Sequence, residues 1–183
     1  MGALNRSEGG PGRRTARRHG PGKRRRRPPV TAARMVVGTW NPNGAVLRWA
    51  AMEELMRHVD ALCVQETKCK PEDQRLLERL CRRRRWCIEF TECEYDEGGA
   101  PVGGLAIISK TALVRQKFRE GPEPPTREPT RAMFCEMARA KDDPLLIGNV
   151  YMSVADGAHR QSTMDMLERR LHQSGREFVV LGD

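Results

Sequence analysis

Five polar residues follow short apolar runs: Asn41 and Asn43, Glu66, Tyr151 and Asp183. In α/β folds, polar chemistry gathers in the loops beyond the carboxyl ends of strands. If these ends converge, two carboxylates, two carboxamides and a phenol face one cleft. Such oxygen donors suit a hard cation, since Mg²⁺ takes few protein ligands, keeps several waters and completes its shell with substrate phosphate. Zinc would want Cys or His, and none stands at these positions. Each residue also has a plainer reading. Glu66 could be an ordinary strand-end carboxylate, Asn41 an Asx-turn former before Gly44, and Tyr151 a core aromatic with a satisfied hydroxyl. Asp183, at the end of the chain, could fray.

The elements that would position these residues are legible from periodicity. Met35-Val36-Val37-Gly38-Thr39-Trp40 reads as a strand and Asn41-Pro42-Asn43-Gly44 as a turn. Met52, Leu55, Met56 and Val59 form the stripe of a helix over 46–59, and Ala61-Leu62-Cys63-Val64-Gln65 is short and apolar enough for a buried strand. Strand, helix and strand make a βαβ unit with a right-handed crossover and parallel strands. Pro71 opens a second helix with Leu76, Leu77 and Leu80 inward. Further strands are expected at 86–91, 105–109, 132–138, 145–152 and 178–181. A third helix carries Met164, Leu167 and Leu171 and stops near Gly175.

Charge divides the chain. The 183 residues hold 33 Lys or Arg against 24 Asp or Glu, a net +9. Residues 1–34 carry eleven basic residues and one acid, Glu8, while the rest is close to neutral. With almost no large apolar side chains, 1–34 reads as a disordered basic tail, and 35–183 as one domain. The run Lys23, Arg24, Arg25, Arg26 and Arg27 suits nuclear localisation or phosphate contact, with a solvated tail as the plainer alternative. Arg82, Arg83, Arg84 and Arg85 beside Trp86 invite a similar reading, but alternation puts Trp86 on the face of Ile88 and Phe90, favouring a core indole and a solvated helix end. No apolar run approaches the roughly 18–20 residues that span a bilayer, and 1–34 lack the apolar core of a secretory signal. A nuclear or cytoplasmic setting, reduced cysteines and a monomer are expected.

Five segments taken together carry a resemblance. Thr39-Trp40-Asn41-Pro42-Asn43-Gly44, Val64-Gln65-Glu66-Thr67-Lys68, Gly103-Gly104-Leu105-Ala106-Ile107-Ile108-Ser109, Asn149-Val150-Tyr151 and Val179-Val180-Leu181-Gly182-Asp183 resemble, in order, motifs of the exonuclease-endonuclease-phosphatase superfamily. The Gln-Glu-Thr-Lys form is most similar to the apurinic endonuclease and exonuclease III branch, which includes non-LTR retrotransposon endonucleases.

The resemblance implies an α/β (α+β) fold: a four-layer α/β/β/α sandwich, of which this chain would hold the N-terminal portion with an incomplete second half. It implies Mg²⁺- or Mn²⁺-dependent hydrolysis of a DNA phosphodiester. Glu66 would be the metal carboxylate, with Asn43 reaching the metal shell through a water. Asn41 would orient the metal and phosphate region, Tyr151 would contact the scissile phosphate, and Asp183 would orient or deprotonate the attacking water. DNA is the implied partner, and the tail could also engage RNA.

Two departures stand out. Met152-Ser153-Val154 follows Tyr151 where the branch usually has x-Pro-Asn. The sequence given stops at Asp183, before the Asn expected two positions on and before a later Ser-Asp-His segment with the catalytic histidine. None of His19, His58, His159 and His172 is placed to replace it. Residues 1–183 are therefore expected to be a truncated, inactive or weakly active endonuclease fragment of apurinic or, from the missing Pro-Asn and the basic tail, retrotransposon type. The rivals are a non-catalytic nucleic-acid binder using its tail, a phosphatase branch of the same superfamily, and a chain that does not fold stably.

Overall fold

The computed structural model describes residues 34–116, 131–140, 142–152 and 157–183. The tail run at 23–27 and the Pro-rich loop at 121–130 lie outside the described residues. In chain order the elements are β1 (Val37–Trp40), a 3₁₀ turn (Val46–Arg48), α1 (Trp49–His58), β2 (Ala61–Val64), α2 (Pro71–Arg83), β3 (Cys87–Phe90), β4 (Glu94–Tyr95) and β5 (Pro101–Val102). They continue with β6 (Ala106–Ser109), β7 (Leu113–Arg115), β8 (Ala132–Met137), β9 (Leu145–Val150), α3 (Gly157–Ser174) and β10 (Phe178–Gly182).

The strands form two four-stranded sheets, β1-β2-β6-β3 and β10-β9-β8-β7, plus the hairpin β4-β5. As the βαβ reading requires, β1 and β2 are parallel, pairing Val37 with Ala61 and Trp40 with Val64. In the second sheet β10 runs parallel to β9, pairing Phe178 with Leu146 and Gly182 with Val150. The remaining pairings in the two sheets are antiparallel.

Side-chain alternation explains the layering, because successive residues of a strand face opposite ways. From the first sheet Ala61, Cys63 and Ile107 meet Met133, Cys135, Met137 and Ile147 of the second, closing an apolar layer between the sheets. The alternate residues Leu62, Val64, Ala106 and Ile108 face outward onto Met52 and Met56 of α1 and Leu77 and Cys81 of α2. On the far side Phe134, Leu146 and Val150 pack against Leu167 of α3. The result is a mixed α/β architecture in which the two sheets face each other and helices cover their outer surfaces.

The helical stripes are narrower than expected. The stretch 46–59 begins as the 3₁₀ turn, and α1 ends at His58 because Val59 is extended, at φ −125° and ψ 159°. Met52 and Met56 are buried while Leu55, on the edge of the stripe beside Met52, is 36% exposed. On α2 the buried line is Leu77 and Cys81, and on α3 Met164 is turned to solvent while Thr163 and Leu167 are covered. Trp86 is held in the outer core against Trp49, ring centroids 6.2 Å apart, with Arg82, Arg83, Arg84 and Arg85 exposed beside it. Arg84 pairs with Glu53.

Candidate active site

The carboxyl ends of β1 and β2 lie side by side because the strands are parallel, and the two loops that leave them are bonded together. Asn41 Oδ1 accepts from the Asn43 N–H at 3.1 Å, closing an Asx-turn that holds Asn43 at φ 51° and Gly44 at φ 114°. Gly44 and Ala45 then donate to the carbonyls of Glu66 and Thr67, each at 2.9 Å. On the other flank, Thr67 and Lys68 donate to the carbonyls of Gly104 and Gly103 at 3.0 and 2.9 Å.

This cradle holds Glu66 and Lys68 in left-handed backbone conformations, at φ 45° and 51°. Such conformations cost non-glycine residues about 1–3 kcal/mol each and persist where the surroundings over-determine them. The approach also requires a glycine: a Cβ on Gly104 would lie 2.6 Å from Thr67 Oγ1.

From the second sheet, Tyr151 and Asp183 follow β9 and β10. The Tyr151 N–H donates to the Arg131 carbonyl at 2.8 Å, and the Arg131 guanidinium lies 5.8 Å from the ring centroid. Asp183 is tied alongside, its N–H donating to Val150 O at 3.3 Å and its carbonyl accepting from Met152 N–H at 2.9 Å.

Four of the five residues singled out from the sequence meet. Asn41 Nδ2 donates to Glu66 Oε1 at 3.2 Å and to Asp183 Oδ2 at 2.9 Å. The Tyr151 hydroxyl donates to Glu66 Oε1 at 2.6 Å, and Lys68 Nζ stands 3.7 Å from Glu66 Oε2. Asn43 joins only through its backbone, its side chain being exposed. The plainer readings of Asn41 and Tyr151 hold at the same time as the functional ones: Asn41 forms the Asx-turn with its oxygen and spends its nitrogen on the carboxylates, while the Tyr151 ring packs against the inter-sheet core with its hydroxyl on Glu66.

The electrostatics follow from these bonds. The Tyr151 hydroxyl, more than any other group, holds the Glu66 carboxyl below its ordinary range; Asn41 and Lys68 add to this against partial burial and the Asp183 charge. The same bond raises the Tyr151 phenol, with burial and the Glu66 charge acting the same way. At neutral pH the pair is therefore an ionised carboxylate and a protonated phenol.

The profile of the Endonuclease/Exonuclease/phosphatase family matches residues 38–183. The chain belongs to that family. No curated protein matches the sequence. Among solved structures it is similar to the 3′ phosphatase NExo from Neisseria bound to a product DNA hairpin, at TM-score 0.60 and 20% identity over 82% of this chain and 57% of that one. It is also similar to an AP endonuclease from Archaeoglobus fulgidus, at TM-score 0.55 and 21% identity over 82% and 57%, and to the AP endonuclease LMAP from Leishmania major, at 0.55 and 19% over 79% and 53%. These likenesses are of fold, and the chain spans little more than half the length of each structure. The family's description spans endonucleases, exonucleases and phosphatases.

Among the described residues no three His, Cys, Asp or Glu side chains are grouped to hold a metal ion. The donor set around Glu66 fits a hard cation nonetheless, because Mg²⁺ is commonly bound by one or two carboxylates plus water and phosphate instead of an all-protein cage. His58 and His172 lie elsewhere, exposed on α1 and α3 beside Glu54 and Glu168. Sequence reasoning gave Lys68 no role, although it sits within the Gln-Glu-Thr-Lys segment. It also missed the buried pairing of Gln65 with Asn149, whose signal was a carboxamide inside each of two apolar runs.

Proposed function

We propose that the cluster of Asn41, Glu66, Tyr151 and Asp183 is the phosphate-hydrolysing site of a Mg²⁺- or Mn²⁺-dependent DNA endonuclease of apurinic or retrotransposon type. The observation that carries this is the meeting of side chains from both sheets around Glu66: Asn41 and Tyr151 both donate to its Oε1, and Asn41 also donates to Asp183. Glu66, kept ionised by its donors, would hold the cation, and Asn43 would reach the shell through a water. When bound, the cation would stabilise charge developing on the phosphate oxygens in the transition state. Tyr151 donates a hydrogen bond, and the same phenol can be turned to a phosphate oxygen. Asn41 fixes Glu66 and Asp183 relative to each other. Asp183 is the carboxylate available to take a proton from an attacking water.

The likeness to AP endonucleases and to a 3′ phosphatase supports DNA phosphoesters as the substrate class. The basic run Lys23, Arg24, Arg25, Arg26 and Arg27 would add salt-dependent affinity for the backbone. With no described histidine beside Glu66, hydrolysis by residues 1–183 taken alone is expected to be slow or absent.

Fluorescence anisotropy of a duplex carrying an abasic site tests the reading. Mg²⁺ should tighten binding by residues 1–183 relative to EDTA, and Glu66→Gln should abolish the gain while leaving the salt-dependent component. Equal binding with and without Mg²⁺, lost only on deleting 1–34, would favour the non-catalytic binder. Vigorous Mg²⁺-dependent nicking by 1–183, abolished by Glu66→Ala, would contradict the expected low activity.

A further inference from the structure

Glu66 stands on the first sheet and Tyr151 on the second, so their contact depends on how the sheets are registered. The layer between them is mostly Ala, Cys, Ile and Met side chains. Such packing is non-directional and does not by itself fix a hydrogen-bond distance.

Arg115 of β7 bridges the sheets at one flank, donating to the Phe90 carbonyl at 2.6 Å from a partly buried position, whereas a fully buried amide bridges them next to the site. Asn149, fully buried in β9, sends Nδ2 to the Val64 carbonyl at 3.0 Å and the Ala106 carbonyl at 2.8 Å. These two residues face each other at the end of the β2–β6 ladder. Asn149 Oδ1 accepts from Gln65 Nε2 at 2.6 Å, and Gln65, also fully buried, reaches the Thr39 hydroxyl at 3.0 Å. Gln65 immediately precedes Glu66, and Asn149 stands two residues before Tyr151. The amide thus ties β9 to β2 and β6 with three directional bonds, one step inside the point where the two side chains meet.

We propose that Asn149 and Gln65 are positioning residues: a buried amide clamp that sets the register between the sheets so that the Tyr151 hydroxyl reaches Glu66. The functional meaning rests on the reading of Glu66 and Tyr151 as the hydrolytic site, while the clamp is measured without any activity. Neither residue touches the candidate reacting groups. A buried amide suits this task better than an aliphatic side chain because each of its bonds has a direction, and a sheet slip would leave buried carbonyls unpartnered.

The test uses the full chain with Tyr95→Phe, since Tyr95 is the other of its two tyrosines, so that ultraviolet absorbance follows Tyr151 alone. In this background Tyr151 should ionise above the ordinary value of about 10. Asn149→Leu, checked for folding by circular dichroism, should bring the midpoint back toward that value. Gln65→Met, which removes one bond of the clamp and spares the two to backbone, should move it the same way by less. A folded Asn149→Leu or Gln65→Met with an unmoved midpoint would overturn the clamp, as would a parent midpoint already at the ordinary value. If both variants fail to fold, hydrogen exchange on the unsubstituted chain decides. The Asn149 side-chain amide should exchange far more slowly than that of exposed Asn43, and equal rates would overturn the proposal. Loss of the Mg²⁺ effect on DNA binding, with the Tyr151 shifts intact, would sink the functional reading and leave the clamp standing.

Discussion

The Tyr151 hydroxyl donates to Glu66 Oε1 at 2.6 Å across 85 positions of sequence and from the opposite sheet. That single bond accounts for the largest influence on both groups, lowering the carboxyl and raising the phenol. It joins the loop after β2 to the end of β9, and the behaviour of each side chain follows from the other.

Tyr151→Phe should let the Glu66 carboxyl rise toward its ordinary value. The sign follows from linkage: a carboxyl lowered by folding stabilises the native state above its unfolded value of about 4.3, and this is lost as pH falls through the folded value. Urea denaturation from pH 7 to pH 3 should therefore show a shallower acid loss in Tyr151→Phe. At pH 7 the variant should be less stable by about 1.5–3 kcal/mol, as for a hydrogen bond to a charged group. An unchanged acid slope would argue against the bond.

On the phenol the sign is reversed. A raised Tyr151 contributes stability that is present below about pH 10 and lost as pH rises through its folded value. Alkaline unfolding followed by fluorescence should thus begin at lower pH in Glu66→Gln. Identical alkaline profiles would show that the carboxylate does not hold the phenol.

Gly182 pairs with Val150 where β10 meets β9, and a Cβ there would fall 2.1 Å from the Val150 carbonyl oxygen. Gly182→Ala should destabilise the chain by about 1–3 kcal/mol, as overpacking does, and displace Asp183 from Asn41. Gly98→Ala, where the nearest atom is Asp96 Oδ1 at 3.4 Å, is the control expected to change little. Equal urea midpoints for the two variants would contradict the tight register.

All six cysteines are free thiols, but they are not equivalent. Burial pushes the Cys63, Cys69, Cys81 and Cys135 thiols up to about 12, whereas Cys87 is exposed. Iodoacetamide at pH 8, read by mass spectrometry, should modify Cys87 first and the four buried thiols only at the rate of opening. Modification of Cys63 as fast as Cys87 would mean that the inter-sheet layer is not closed.

The parts of the fold legible in the sequence are those where one pattern dominates. Residues 61–64 are apolar without interruption because β2 is covered on both faces, and Asn41 and Glu66 were marked because they lie just beyond such runs. The pairs β4–β5 and the strand β7 are two or three residues long, too short for alternation to register, and β4–β5 lies in a Gly- and Glu-rich stretch. Leu55 and Met164 were assigned inward because a three-residue step is nearly a turn, yet each helix buries a narrower line. Gln65 and Asn149 were visible as polar residues in apolar surroundings, but their partnership is a property of two sheets 84 positions apart. The Asx-turn closed by Asn41 was legible before Gly44, but that it leaves Asn43 joined through its N–H alone, with the side chain exposed, was not.

The most direct test of a cation site at Glu66 is paramagnetic broadening by Mn²⁺ in an amide-resolved NMR spectrum of residues 1–183. Resonances of Asn41, Glu66, Tyr151 and Asp183 should broaden together at low Mn²⁺, excess Mg²⁺ should restore them, and Glu66→Gln should remove the effect. Broadening confined to other acidic positions, with these four unaffected, would contradict the site.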